Sequence, residues 1–168
     1  LGDVYKRQAY INAGLKIGRE ALELKGEPGA EETIARIDAL LEKMPYYGTV
    51  TDEAQGGQTV VEDWKDHGVA STDRHGSLIQ AIYPANEVTW YSDAEEKELF
   101  QRTINLVERV TTHANSNVIL NIARARLSMG EEAIENAKMC FSSDSSYSPE
   151  QPNGLFYWNA HGYYMSEQ

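Results

Sequence analysis

Through most of this chain apolar residues recur every three or four positions, and glycine or proline cuts each run after a few turns. That spacing matches the period of the α-helix and cannot serve a strand, whose side chains alternate with a period of two. Ile34, Ile37, Leu40, Leu41 and Met44 keep it most cleanly, predicting a helix over Ala30 to Met44 that Pro45 stops. Ala9 to Lys25 precedes it as a helix with Ile11, Leu15, Ala21, Leu22 and Leu24 as apolar face, and the turn GEPG separates the two. Later, Ser77 to Tyr83 reads as a short helix closed by Pro84. Ser92 and Glu95 have capping-box spacing ahead of a helix to about Thr111. Asn117 to Met129 and Glu131 to Phe141 form a helical hairpin around Gly130. The predicted class is all-α, with long loops gathered between hairpins.

Two segments depart from this rhythm. From Tyr46 to Asp73 the helical period disappears into a GGQ turn, a β-like piece at Thr59 to Val61, and the run EDWKDHG. Long loops of this kind more often carry function than serve as spacers. The Ser-rich stretch SSDSSYSPEQPNG leads into LFYWNAHGYY, and HGYYMSEQ reads as the first turns of a further helix. At the other end LGDVYKRQ, Leu1 to Gln8, is similar to a translated sequencing-adapter junction and is set aside from the fold. Residues 9–168 are therefore expected to be part of a longer domain. The segments AGLKIGREALE and ARLSMGEEAIE share one pattern, which suggests similar helical hairpins.

Composition narrows the partners. A net charge of −11 with scattered Lys and Arg opposes a phosphate backbone, so nucleic acid is not an expected partner. No apolar run approaches a membrane span. The lone Cys140, on an apolar helix stripe, cannot form an internal disulfide and reads as a small core residue. His67, His75, His113 and His161 lack the three- or four-residue spacing of a zinc site, and no phosphate-cradling or dinucleotide loop is present. No metal and no cofactor are expected.

Chemistry-bearing residues concentrate in the irregular segments. Glu62 and Asp63 sit in the loop beside Trp64, with Asp66 and Asp73 nearby. Acids among aromatics suit hydrolysis of sugars, where two carboxyls flank the glycosidic bond, but the same acids can cap turns. Tyr147, Phe156, Tyr157, Trp158, Tyr163 and Tyr164 crowd one stretch with Asn153, Asn159 and His161. Flat rings stack on pyranose faces while amides and imidazoles bind hydroxyls, and the same rings can equally plug a helical bundle.

The run DRHGSLIQAIYP, Asp73 to Pro84, resembles the R-H-x-S-H-L-x-G-L-Y-P motif of glycoside hydrolase family 95, the inverting α-L-fucosidases and relatives. Arg74, His75, Ser77, Ile79, Ala81, Ile82, Tyr83 and Pro84 follow that spacing without a gap. GGQTVVEDWKDH, ARLSMGEEA and LFYWNAHGYY are similar to further family segments in the family's order, so the resemblance spans nearly all of Ala9 to Gln168. It implies the later part of an (α/α)6 toroid, a carbohydrate substrate and a periplasmic or secreted address. It also implies that Arg74 and His75 contact the sugar, that Glu62 is the loop glutamate, and that Trp64 is a sugar platform. Trp158 and His161 fall among the implied substrate contacts. Asn159 occupies the place of the family's base-activating aspartate, and an amide cannot take a proton from water at neutral pH. Either a nearby carboxylate, Glu62, Asp63, Asp66 or Glu150, takes that role, or catalysis differs from the family's, or the protein only binds.

Two other classes fit parts of the pattern. Another toroid enzyme, a polysaccharide lyase or phosphorylase, would share the helices, although a lyase needs more basic residues than Arg74 to neutralise a uronate. A helical-repeat adaptor would share the hairpin around Gly130 but not the long aromatic loops. The enzymatic readings place Glu62, Arg74, His75 and Asn159 on one cleft, whereas an adaptor disperses them.

Overall fold

The computed structural model of the chain describes residues 4–44, 47–53, 56–63, 68–69, 76–110, 114–140, 155–158 and 162–165. Among these the backbone is mostly helical: α1 (Val4–Lys25), α2 (Ala30–Leu41), α3 (Ala94–Val110), α4 (Ala114–Arg126) and α5 (Gly130–Cys140). Two antiparallel ribbons accompany them, β1 (Thr49–Asp52) with β2 (Gln58–Val61) and β3 (Leu155–Trp158) with β4 (Gly162–Met165). A 3₁₀ turn covers Ser77–Ile79, in place of the helix to Tyr83 read from the sequence. The helical class read from the periodicity holds at this level, with small β elements added in the two irregular segments.

The GEPG turn works through its glycines. Gly26, at φ 61°, ends α1 by donating its N–H to Leu22 O at 3.1 Å, and Gly29 opens α2 at φ 87°. Both dihedrals lie where a Cβ is disfavoured, so the reversal from α1 to α2 needs glycine. The hairpin is then joined by Arg19, whose Nε donates to Asp38 at 2.7 Å.

α3 is the element on which the core of the described residues is stacked. Its Phe100, Thr103, Ile104 and Val107 are fully buried, and β2, the Ser77–Ile79 turn and α4 all lie against it. Val61, Leu78, Ile79, Ile82, Val88, Leu120 and Leu127 complete one continuous core. Each such side chain contributes roughly 1.5–3 kcal/mol by leaving water. The β2 strand is tied to α3 by chemistry as well as packing. Val61 N–H donates to Thr103 Oγ1 at 3.0 Å, and the same hydroxyl donates to Leu99 O at 2.9 Å. Arg102 Nε also donates to Thr59 O at 3.0 Å. A strand edge that would otherwise bury an unpaired N–H is thus satisfied by a helix side chain.

Several boundaries differ from the sequence reading, each for a local reason. α1 begins at Val4, ahead of Ala9. α2 ends at Leu41, and bonds from Lys43 and Met44 N–H to Leu40 O tighten the chain before Pro45. The α3 cap is Asp93, whose Oδ1 accepts Glu96 N–H at 2.8 Å, and Ser92 is diverted to accept Thr89 N–H at 3.1 Å. The capping pair is therefore Asp93 and Glu96, one residue later than the Ser92–Glu95 spacing indicates.

At the α4–α5 hairpin Ser128 takes the left-handed conformation, φ 67°, while Gly130 is the first residue of α5. The sequence echo does not mark a repeated hairpin. AGLKIGREALE lies wholly inside α1, whereas ARLSMGEEAIE crosses the α4–α5 turn. The stretch GYYM of the C-terminal segment, read as an incipient helix, is instead strand β4. Its register sets Tyr164 opposite Phe156 and Tyr163 opposite Tyr157. Aromatic cross-strand pairs favour a ribbon over a helix start.

Thr103→Val keeps the shape of the side chain but strands the buried N–H of Val61. It should lower the unfolding free energy by about 1–3 kcal/mol, measured by urea titration followed by circular dichroism.

Candidate functional site

The β1–β2 ribbon pairs Thr49 with Val61 and Asp52 with Gln58, and Gly57 N–H closes its turn on Asp52 O at 3.0 Å. Val60 and Val61 are 1% and 2% exposed. Because these two residues are pinned beneath α3, the chain leaving β2 enters the protein rather than solvent. Glu62 follows at 6% exposure and Asp63 at 4%. Glu62 N–H is fixed by Gly48 O at 3.0 Å, and Asp63 N–H by Gly68 O at 2.9 Å. Two consecutive carboxylates are therefore held in protected positions by backbone bonds to Gly48, ahead of β1, and to Gly68, past Trp64 in sequence. Burying a carboxylate is costly unless it is used or paired, and Asp63 does engage a partner.

The run DRHGSLIQAIYP is anchored by its apolar half. Ile79 and Ile82 are fully buried and Leu78 is 4% exposed. Tyr83 is half-buried, precedes a cis peptide bond to Pro84, and carries the Arg126 guanidinium 5.1 Å from its ring centroid. Arg126 also donates to Ile82 O at 3.0 Å and to Asn86 Oδ1 at 2.6 Å, tying the loop to α4. At the start of the run Gly76 is buried with φ 59°. A Cβ there would meet Ile79 Cγ1 at 3.3 Å and Ile119 Cγ2 at 3.6 Å.

Of the residues singled out from the sequence, Glu62 is described with its side chain, and Trp158 is placed as the last residue of β3. Trp64, Arg74, His75, Asn159 and His161 lie outside the described residues, as do Asp66 and Glu150. The side chain of Cys140 does too, although its backbone ends α5. The structure does bring Val61, next to Glu62, and Leu78 and Ile79, close after Arg74 and His75, into the same core cluster. Both polar segments thus depart from anchors on α3.

Three further polar features escaped the sequence reading. Tyr47 precedes β1, meets Phe100 edge-on with ring centroids 5.0 Å apart, and donates its hydroxyl to Glu96 at 3.1 Å. Partial burial, then the negative charge of Glu96, pushes its phenol well above the ordinary value of 10.0. Arg124 of α4 is 2% exposed and pairs through Nη2 with Glu108 of α3 at 2.7 Å. Its Nε and Nη1 have no hydrogen-bond partner among the described residues. Asn136 of α5 donates to Asn121 of α4 at 2.6 Å, both nearly fully buried. The available signal was position: Asn121 and Arg124 stand between Leu120 and Leu127 on the apolar stripe of α4. Among the described residues no group of three or more His, Cys, Asp or Glu could hold a metal ion, and no helix is long and apolar enough to cross a membrane.

No protein-family model matches this chain, and neither a curated protein nor a solved structure matches it.

Gly76→Ala forces a side chain into the left-handed region, at roughly 1–2 kcal/mol, and against Ile79. It should lower stability by about 1–3 kcal/mol in the same urea assay. Tyr47 supplies a pH test. Its folded pKa lies above its unfolded one, so its contribution is whole below pH 10.0 and fades as pH rises beyond that value. The urea midpoint of wild type should therefore fall more steeply between pH 9 and pH 11 than that of Tyr47→Phe, with the two curves parallel below about pH 9.

Proposed function

We propose that this chain is part of an inverting glycoside hydrolase acting on terminal glycosidic bonds of oligo- or polysaccharides, and that its helices belong to an (α/α)6 toroid. The observation that carries the proposal is Glu62, a protected carboxylate fixed where β2 enters the Trp64 loop. Its support is the run Arg74 to Pro84, whose apolar positions Ile79 and Ile82 fill the core while its polar pair precedes them.

In this reading Arg74 and His75 grip hydroxyls of the sugar that is cleaved. The guanidinium offers a planar set of donors, and the imidazole can donate or accept. Trp64 and Trp158 supply flat apolar faces for pyranose rings, and His161 a directional polar contact. Inversion requires one carboxylic acid to protonate the leaving oxygen and one carboxylate to activate water on the opposite face, about 6.5–9.5 Å away. Asn159 cannot be that base, so in this reading the duty falls to a carboxylate of the segment after β2, with Glu62 first in place.

The test combines binding with turnover. The chain should bind at least one member of a panel of fucosides, galactosides and arabinosides in saturation-transfer NMR, with the signal lost in Arg74→Ala and kept in Glu132→Gln, an exposed position on α5. The chain alone should not hydrolyse the panel. Its full reading frame should release a sugar of inverted anomeric configuration, and Glu62→Gln should lower kcat by at least about a hundredfold. Retention of configuration, hydrolysis untouched by Glu62→Gln, or no binding across the panel would each sink the proposal.

A further inference from the structure

Ile82 is fully buried, so its carbonyl needs a donor from within the protein. The N–H three residues on, that of Ala85, is spent on Gln80 O at 3.1 Å, and no other backbone N–H among the described residues reaches Ile82 O. Arg126, the last residue of α4, supplies the donor instead. Its Nη1 donates one N–H to Ile82 O at 3.0 Å and the other to Asn86 Oδ1 at 2.6 Å, while the guanidinium stands 5.1 Å from the Tyr83 ring centroid. Asn86 meets it at φ 56°, in the left-handed region that asparagine tolerates better than most side chains. One side chain thus engages three points of a single short segment.

That segment is tightly knit. Ile79 N–H bonds to Gly76 O at 3.1 Å and Ile82 N–H to Ile79 O at 2.9 Å, while Glu87 and Val88 N–H share Ala81 O at 2.8 and 3.0 Å. These bonds overlap with that of Ala85, so residues from Gly76 to Val88 form one hydrogen-bonded unit, anchored by the fully buried Ile79, Ile82 and Val88. Lys16 of α1 meets the unit past the end of the run, at Glu87, whose side chain is 4% exposed. Arg126 meets the run itself, at Ile82 and Tyr83. α4 is a firm base for that contact, since its Leu120 and Ala123 are fully buried.

Arg74 and His75 stand two residues and one residue ahead of Gly76 in sequence. Two residues of chain span at most about 7 Å, so a displacement of the unit is carried to both. On the hydrolase reading above, we infer that Arg126 is a positioning residue: from α4 it sets where the Gly76 to Val88 unit stands, and through that unit the pair proposed to hold the sugar. A planar guanidinium can serve two acceptors from one nitrogen and still lie against a ring, which a lysine ammonium on a shorter, single-ended stem does not reproduce.

In Arg126→Met, amide exchange of the full chain should quicken at least about tenfold at Ile79, Ile82, Ala85, Glu87 and Val88 together, with the α5 amides unchanged. The His75 imidazole carbon–proton signals, assigned by their loss in His75→Gln, should move from their wild-type positions. The panel sugar that wild type binds should be held at least about tenfold more weakly, at a temperature where both proteins are folded. Arg126→Lys should resemble Arg126→Met. Asn86→Gly, which removes one acceptor without strain at φ 56°, should move the same His75 signals in the same direction by less. Asn136→Ala, which removes a buried bond between α4 and α5, should lose stability yet keep wild-type His75 signals and sugar affinity. Exchange that quickens only at Asn86 and Glu87, with His75 signals unmoved, would overturn the inference whether or not a sugar binds. So would wild-type sugar affinity in Arg126→Met, or wild-type behaviour of Arg126→Lys. Faster exchange across the whole unit and moved His75 signals, in a chain that binds no panel sugar, would support the positioning and sink the hydrolase reading alone.

Discussion

One hydroxyl holds the β1–β2 ribbon in register against α3. Thr103, fully buried in the middle of α3, accepts the N–H of Val61 and returns its own proton to Leu99 O. A β-ribbon laid across a helix ordinarily leaves one edge of backbone unpaired, and an unpaired buried N–H costs as much as a lost hydrogen bond. By meeting that demand with a side chain, α3 accepts a strand on one flank while packing the Ser77–Ile79 turn and α4 elsewhere. The position of Glu62 follows. The strand that delivers it is fixed at Val60 and Val61, and the residue after it can only continue into the protected space where Gly48 O meets its N–H.

A second set of polar contacts orders the helices beyond α3. Arg124 reaches Glu108 across the α3–α4 contact, and Asn136 reaches Asn121 across α4–α5. Neither is an efficient source of stability. A buried guanidinium surrenders its hydration, and Arg124 recovers one good bond to a carboxylate that is itself about half exposed, leaving Nε and Nη1 without partners among the described residues. The gain is in selection among packings. Sliding α4 by one turn against α3 or α5 would bury an unpaired charge or two unpaired amides, whereas an all-apolar contact would tolerate the slip.

What could be read beforehand follows from the range of the physics involved. Helical periodicity is local, so α2, α3 and the α4–α5 hairpin stood out within a few residues of their observed ends. The cap of α3 was missed by one because Ser92 and Asp93 are both good capping residues. Which one caps is decided by Thr89, whose N–H claims the serine hydroxyl. The C-terminal ribbon was missed because its identity lies in the pairing of Phe156 with Tyr164 and Tyr157 with Tyr163, a relation between segments that no single window contains. Burial of Arg124 was in principle visible, since a charge between Leu120 and Leu127 breaks the apolar stripe. The partner that makes it tolerable is on another helix. Of the candidate site, the carboxylates beside Trp64 were found by their company in sequence, yet their protection comes from Gly48 and Gly68, residues with no chemical signature.

The run proposed to hold the sugar is braced at its far end by α1 as well as by α4. The α1 face that is spent inward reaches the loop after Pro84, where Lys16 bonds to Glu87 and the charge field of Tyr83 adds to burial in raising the Tyr10 phenol. That loop in turn is held by Arg126 and Asn86, beside the residues that close the Arg74 to Pro84 run. Bracing of that kind would serve the proposed sugar contacts, because hydroxyl-directed bonds lose most of their value when the donors wander by an ångström.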